Sequence, residues 1–124
     1  MQDYRTLRAH LLSRPGATED FPFGPEDMVA KVSGKMFALM GVHDPPKSII
    51  LKCDPDYAAE LRTEYPAITT APYMSKLHWN AIALDGSVSD EMLLSLIDDS
   101  YRLVVKGLTR KQREQLQQPA IPDA

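Results

Sequence analysis

Residues 28 to 40 read MVAKVSGKMFALM. Two β-compatible runs meet across Ser33-Gly34, a pair suited to a tight turn, which predicts a hairpin at this point of the chain. SIILKC (48–53) reads as a third strand and HWNAIAL (78–84) as a further one, ended by Asp85-Gly86. Between residues 21 and 28, FPFGPEDM carries Pro22, Gly24 and Pro25 and permits at most a short edge strand. His43-Asp44-Pro45-Pro46 makes a loop, and residues 67 to 75 read as irregular.

Helices frame these strands. From Asp3 as N-cap, Tyr4, Leu7, Leu11 and Leu12 fall on one helical face, and Arg14-Pro15-Gly16 stops the run. Asp54 begins a second helix with Pro55 at its first position, where a missing N–H costs nothing, and Pro66 ends it. Ser87 or Ser89 caps the longest helix, carried by Met92, Leu93, Leu96, Ile97, Tyr101, Leu103 and Val104. Asp90 and Glu91 suit its dipole, and Gly107 is its expected stop. Thr109 then recaps a short polar helix, RKQREQL. The order predicts an α+β fold, with helices segregated to one face of an antiparallel sheet.

Residues two apart on a strand share a face, so parity divides the strands. Ile49, Leu51 and Cys53 oppose Ser48, Ile50 and Lys52; His78, Asn80, Ile82 and Leu84 oppose Trp79, Ala81 and Ala83. If the larger aliphatics face the helices, Trp79 lies on the helix-free side with Lys52 and Ile50. One set from the hairpin joins them, either Lys35, Phe37 and Leu39 or Met36, Ala38 and Met40.

The 124 residues suffice for one core and fall short of two ordinary domains. A net charge of −3 is not that of a uniformly basic nucleic-acid binder. Yet Met28 to Cys53 holds Lys31, Lys35, Lys47 and Lys52 against one acid, Asp44, a local surplus of three positive charges. Arg110, Lys111 and Arg113 make a second basic cluster. One cysteine excludes an intramolecular disulfide and a thiolate metal site, which suits a reducing compartment. The opening MQDYRTLRAHLL lacks the basic start and apolar core of a signal peptide, and the longest apolar runs are shorter than a membrane span. A cytoplasmic protein is expected.

No catalytic set is complete. His78 and Asn80 could orient a substrate, with Asp85 as a carboxylate, but a strand-start histidine and an Asp-Gly turn explain them structurally. His10 and His43 are too scattered for a metal motif, and Ser33, Ser75 and Ser87 lack a nucleophile elbow. Gly24 and Gly34 belong to no phosphate-binding loop. Cys53 has two readings: a thiol whose pKa the following helix N-terminus lowers, or a small buried hydrophobe.

The chain resembles the MmcQ/YjbR family through VSGKMFAL (32–39), LKCDPDYAAELRTEYPAI (51–68), YMSKLHWNAIALDGSVSD (73–90) and LIDDSYRLVVKGLTRKQR (96–113). The ordered set is specific where each alone is weak. The resemblance implies an α+β fold like that of frataxin and the bacterial CyaY proteins, and a DNA-binding role with a double-wing arrangement. This chain has Tyr73 where the family often has a histidine, and Leu77 where it often has a basic residue. Frataxin's acidic iron-binding ridge does not carry over, because the first helix presents Arg5, Arg8 and Arg14 beside Asp3.

The reading that results is one MmcQ/YjbR-like domain over residues 1–117, with a flexible tail at 118–124. It is expected to be a non-enzymatic binding protein without cofactor, metal or membrane partner. Lys31, Lys35, Lys52, Lys76, Arg110, Lys111 and Arg113 would contact DNA phosphates, with Trp79 stacking or packing among them. The alternative uses the same sheet face without nucleic acid, for a homodimer, another protein or a small ligand.

Overall fold

The computed structural model describes residues 2–117; the expected tail, 118–124, lies outside the described residues. Four helices and six strands follow in the order α1 (Tyr4–Leu12), β1 (Ala17–Asp20), β2 (Asp27–Val32), β3 (Lys35–Gly41), β4 (Ser48–Lys52), α2 (Pro55–Glu64), β5 (Ile68–Thr70), β6 (Trp79–Ala83), α3 (Asp90–Lys106) and α4 (Arg110–Gln117). The strands form one antiparallel sheet in the order β1-β2-β3-β4-β6-β5. Two of them escaped the sequence reading. β1 is ATED, upstream of the proline loop expected to carry any edge strand, and β5 is ITT, inside a stretch read as irregular.

Local chemistry sets the helix starts. The carboxylate of Asp3 accepts the Thr6 N–H at 3.0 Å, that of Asp54 accepts the Tyr57 N–H at 3.3 Å, and the Ser89 hydroxyl accepts the Met92 N–H at 3.1 Å. Thr109 and Gln112 cap each other reciprocally at 3.1 Å to open α4. The β2–β3 turn is the two-residue kind: Ser33 (φ 51°) and Gly34 (φ 79°) both lie in the left-handed region that such turns need.

Leu7 and Leu11 of α1, Ala58 and Leu61 of α2, and Leu93, Leu96, Ile97 and Val104 of α3 join Met28, Met40, Ile49, Leu51 and Ile82 of the sheet in one core. All helices therefore cover one face. Leu116 of α4 packs onto the same core and crowds Gly16, where a Cβ would collide with it. The opposite face has no helix. It carries Leu39, Ile50, Ala81 and Thr69 in cross-strand register, together with Trp79 opposite Lys52.

A β-bulge decides the hairpin's parity in a way neither expected set allowed. Ala30 pairs with Ala38, but Lys31 pairs with Met36, so Phe37 is the extra residue on β3. Phe37 turns inward, fully buried, with its ring edge-on to Tyr101 at 5.3 Å between centroids. The buried Ser100 hydroxyl donates to the Phe37 carbonyl at 2.6 Å and accepts the Lys52 N–H at 2.8 Å. The result is that Met36 and Leu39, three residues apart, stand together on the open face.

Candidate ligand-binding groove on the open sheet face

The open face contains a groove of about 610 Å³. Met36 and Leu39 from β3 and Ile50 from β4 line it, and none of the three belongs to the core cluster. Leu39 and Ile50 are direct cross-strand partners, so the floor is as rigid as the sheet. Two loops raise its walls. Between β1 and β2, Gly24 (φ 115°) turns the chain, its N–H donating to Phe21 and its carbonyl accepting from Asp27, each at 3.3 Å. That turn holds Phe23 out over the floor, 66% exposed.

The second wall comes from the segment between β5 and β6. Pro72, Tyr73 and Met74 line the groove there, and the Met74 N–H closes a turn onto the Ala71 carbonyl at 3.4 Å. Tyr73 is at φ 63°, a left-handed conformation that costs a side-chain-bearing residue roughly 1 kcal/mol, and it is fully exposed. Only one charged residue lines the groove among those described: Asp27, half-buried at the start of β2.

The structure sorts the basic residues proposed for phosphate contact. Lys31 bonds Asp20 at 2.8 Å, and that bond, more than any other influence, holds the Asp20 carboxyl below its usual range. Arg110 pairs with Glu114 at 3.1 Å, and Arg113 donates to the Lys106 and Leu108 carbonyls at 3.2 and 2.5 Å, closing the end of α3. With α4 anchored on the helix-covered core by Leu116, Arg110, Lys111 and Arg113 belong to the helical layer. Lys52 and Trp79 are cross-strand partners at one end of the sheet. Lys35 lies at that same end, because β3 begins where β4 finishes, and exposed Lys76 precedes β6 there. Trp79 is half-buried and outside the groove.

Asn80 and Asp85, singled out from KLHWNAIALDG, are structural. The Asn80 amide, buried under α2, donates to the Ala58 carbonyl at 3.3 Å and accepts from Arg62 at 2.6 Å. Asp85 accepts the Ser87 N–H at 2.9 Å and its hydroxyl at 2.6 Å, an Asx turn. His78 lies outside β6 with an exposed side chain, and its carbonyl accepts the Cys53 N–H at 2.8 Å. Cys53 is buried, and its thiol is pushed up to about 11 by that burial, with Asp99 and Asp54 adding to it. The lowered-pKa reading of Cys53 is thereby corrected: desolvation outweighs the helix N-terminus. Among the described residues no three histidine, cysteine or carboxylate side chains converge as metal ligands, and no helix is long and apolar enough to cross a membrane.

The YjbR family model matches residues 12–103. The chain belongs to the YjbR family. The match takes in every residue of the groove and leaves out Arg110, Lys111 and Arg113. A relative, the "Uncharacterized protein YbdF" of Escherichia coli O157:H7, is 33% identical over 91% of this chain and 93% of its own. The "Uncharacterized protein YjbR" of Escherichia coli K12 is 28% identical over 90% and 95%. In three dimensions the chain is similar to the Deinococcus radiodurans protein DR2400, assigned to domain DUF419. The TM-score is 0.87 at 36% identity, over 99% of this chain and 94% of that one. A crystal structure of a Pseudomonas syringae protein matches at TM-score 0.68 and 26% identity, over 80% and 96%.

Sequence reasoning did not find Phe23, Asp27 or Met74 as site residues. Their signals were the proline-bounded loop FPFGPE and the Pro72-Tyr73 pair, both of which read only as breaks between strands.

Proposed function

We propose that this YjbR-family chain is a non-enzymatic binding domain and that the groove on its open sheet face receives a small ligand. The carrying observation is the placement of Phe23 and Tyr73, two largely exposed aromatic rings, above a floor of Met36, Leu39 and Ile50 that no helix covers. Burying one such ring on a ligand is worth on the order of 1.5–3 kcal/mol, so two rings and the floor supply a driving force for weak binding without any charge. A volume of about 610 Å³ suits a ligand of that size.

The test is a fragment screen followed by amide chemical shifts of the intact chain. Binders that shift β3, β4 and the two wall loops together support the reading, and weakened binding by Ile50→Lys ties it to the floor. Hits that map only elsewhere, or a screen in which these amides never move, reject it.

A second reading concerns DNA, and it is favoured by Lys35, Lys52 and Lys76 lying at the same end of the sheet as Trp79. No ion-pair partner meets these three lysines among the described residues. Phosphate attraction beside a half-buried aromatic suits sequence-tolerant binding. Binding to labelled duplex or single-stranded DNA that falls with salt, and falls again when the three lysines become alanine, supports it. Absence of binding to either at low salt removes it.

A further inference from the structure

We infer that the groove selects an organic cation, a protonated amine on an aromatic or alkyl body, with Asp27 as its counter-ion. The inference rests on the groove being a ligand site and adds the ligand's chemical class.

Asp27 opens β2 opposite Gly41, which offers no side chain to cover or partner it. In register with Val29 and Leu39 it belongs to the open face, and its own N–H is spent on Gly24, which fixes the carboxylate at the foot of the Phe23 wall. Asp27 is half-buried, and among the described residues its carboxylate meets neither a hydrogen-bond donor nor a cation. Lys31, on the same strand and the same face, is already bonded to Asp20 at 2.8 Å. Asp27 is the one charged residue beside Met36, Leu39 and Ile50 in the lining, and the group that complements it is a cation entering from outside. The walls suit the same ligand. Phe23 and Tyr73 line the groove, and an aromatic ring attracts a positive charge as well as an apolar body. The chain's net charge of −3 favours a cation's approach over an anion's. A free carboxylate or phosphate ligand, by contrast, would meet Asp27 with no basic group in the lining to offset it.

The experiment titrates the full chain with phenethylamine, phenethyl alcohol and hydrocinnamate, which share one apolar body and differ in charge, following groove amides by NMR. The expected order is amine, then alcohol, then carboxylate, with about tenfold between the first two. Asp27→Asn is expected to bring the amine down to the alcohol's affinity and leave the alcohol unchanged. Asp27→Ser, with unchanged amide spectra away from β2, guards against a folding defect. Alcohol and amine binding equally well in the groove overturns the cation inference and leaves the ligand-site reading standing. If none of the three shifts the groove while the fragment screen is also silent there, both fall.

Discussion

The Ser100 hydroxyl donates to the Phe37 carbonyl at 2.6 Å inside the core, 63 residues away along the chain. Its other bond, from the Lys52 N–H, makes Ser100 the tie between the bulge of β3, the end of β4 and the middle of α3. Two backbone groups depend on one side chain that is itself wholly buried. Ser100→Ala leaves a donor and an acceptor without partners in a dry site, and a loss of about 1–3 kcal/mol is expected. Urea unfolding measures it. A change below about 0.5 kcal/mol would mean that the sheet repairs the gap by itself.

Asn80 supports a parallel prediction on the neighbouring strand β6, where it sits opposite Leu51. Its amide joins β6 to the α2 backbone through Ala58 and to Arg62, and all of this lies under the helix. Asn80→Leu keeps the branched shape but strips Arg62 of its acceptor and the Ala58 carbonyl of its side-chain donor. The expected cost is about 1–3 kcal/mol. Amide exchange in α2 is expected to accelerate before that of α3, because α3 keeps its own contacts with β3 and β4; uniform acceleration would contradict a local tie.

Much of this architecture was legible because its causes are local. Asp3, Asp54 and Ser89 cap helices through bonds within three residues, and Ser33-Gly34 makes its turn from its own backbone. Parity placed Trp79 opposite Asn80 for the same reason. β1 and β5 were not legible: ATED and ITT have no apolar alternation, and pairing with β2 and β6 alone makes them strands. The bulge was hidden because Phe37 turns inward toward Tyr101 and Ser100, which are remote in sequence. Since the bulge sets which hairpin residues reach the open face, the groove was hidden with it. Counting lysines showed a basic segment but not that Lys31 is held by Asp20, or that Arg113 closes α3.

Cys53 gives a kinetic prediction. Burial sets its thiol at about 11, so at pH 7.5 the thiolate is a very small fraction, and the side chain is also shielded from reagent. Labelling by a water-soluble disulfide reagent is expected to track unfolding, slow in buffer and immediate in denaturant. Rapid labelling of the native chain would show that the site opens far more readily than its packing implies.

Acid sensitivity follows from Glu19. Two bonds from Arg8, 2.9 and 2.5 Å, hold its carboxyl below the ordinary value of 4.5. A folded pKa below the unfolded one means that the native state binds the proton less readily. The contribution is therefore complete above about 4.5 and is lost as pH falls through the lower folded value. Asp20, lowered chiefly by its bond from Lys31, acts in the same direction. Both pairs are partly exposed, so the effect is small and screened by salt. Glu19→Gln is expected to lower stability near neutrality and to flatten its decline below pH 4.5. Denaturant midpoints taken every half pH unit would show the two curves converging in acid; parallel curves would exclude Glu19 as a source of the slope.

Tyr73 separates stability from binding most cleanly. Its ring is fully exposed and contributes nothing to the core, while its backbone at φ 63° lies where glycine is at ease and tyrosine is not. Tyr73→Gly at an ordinary position would cost about 0.5–1 kcal/mol through the freer unfolded chain. Here relief of the left-handed strain, roughly 1 kcal/mol, offsets that cost, and stability is expected to hold or rise by up to about 0.5 kcal/mol. Affinity for groove ligands is expected to fall about tenfold, because one wall has lost its ring. Thermal melting and an NMR titration on the same sample read the two effects. A variant that binds as the parent does would mean that Tyr73 stands beside the groove without serving it. A strongly destabilised one would mean that the ring packs where its exposure says it does not.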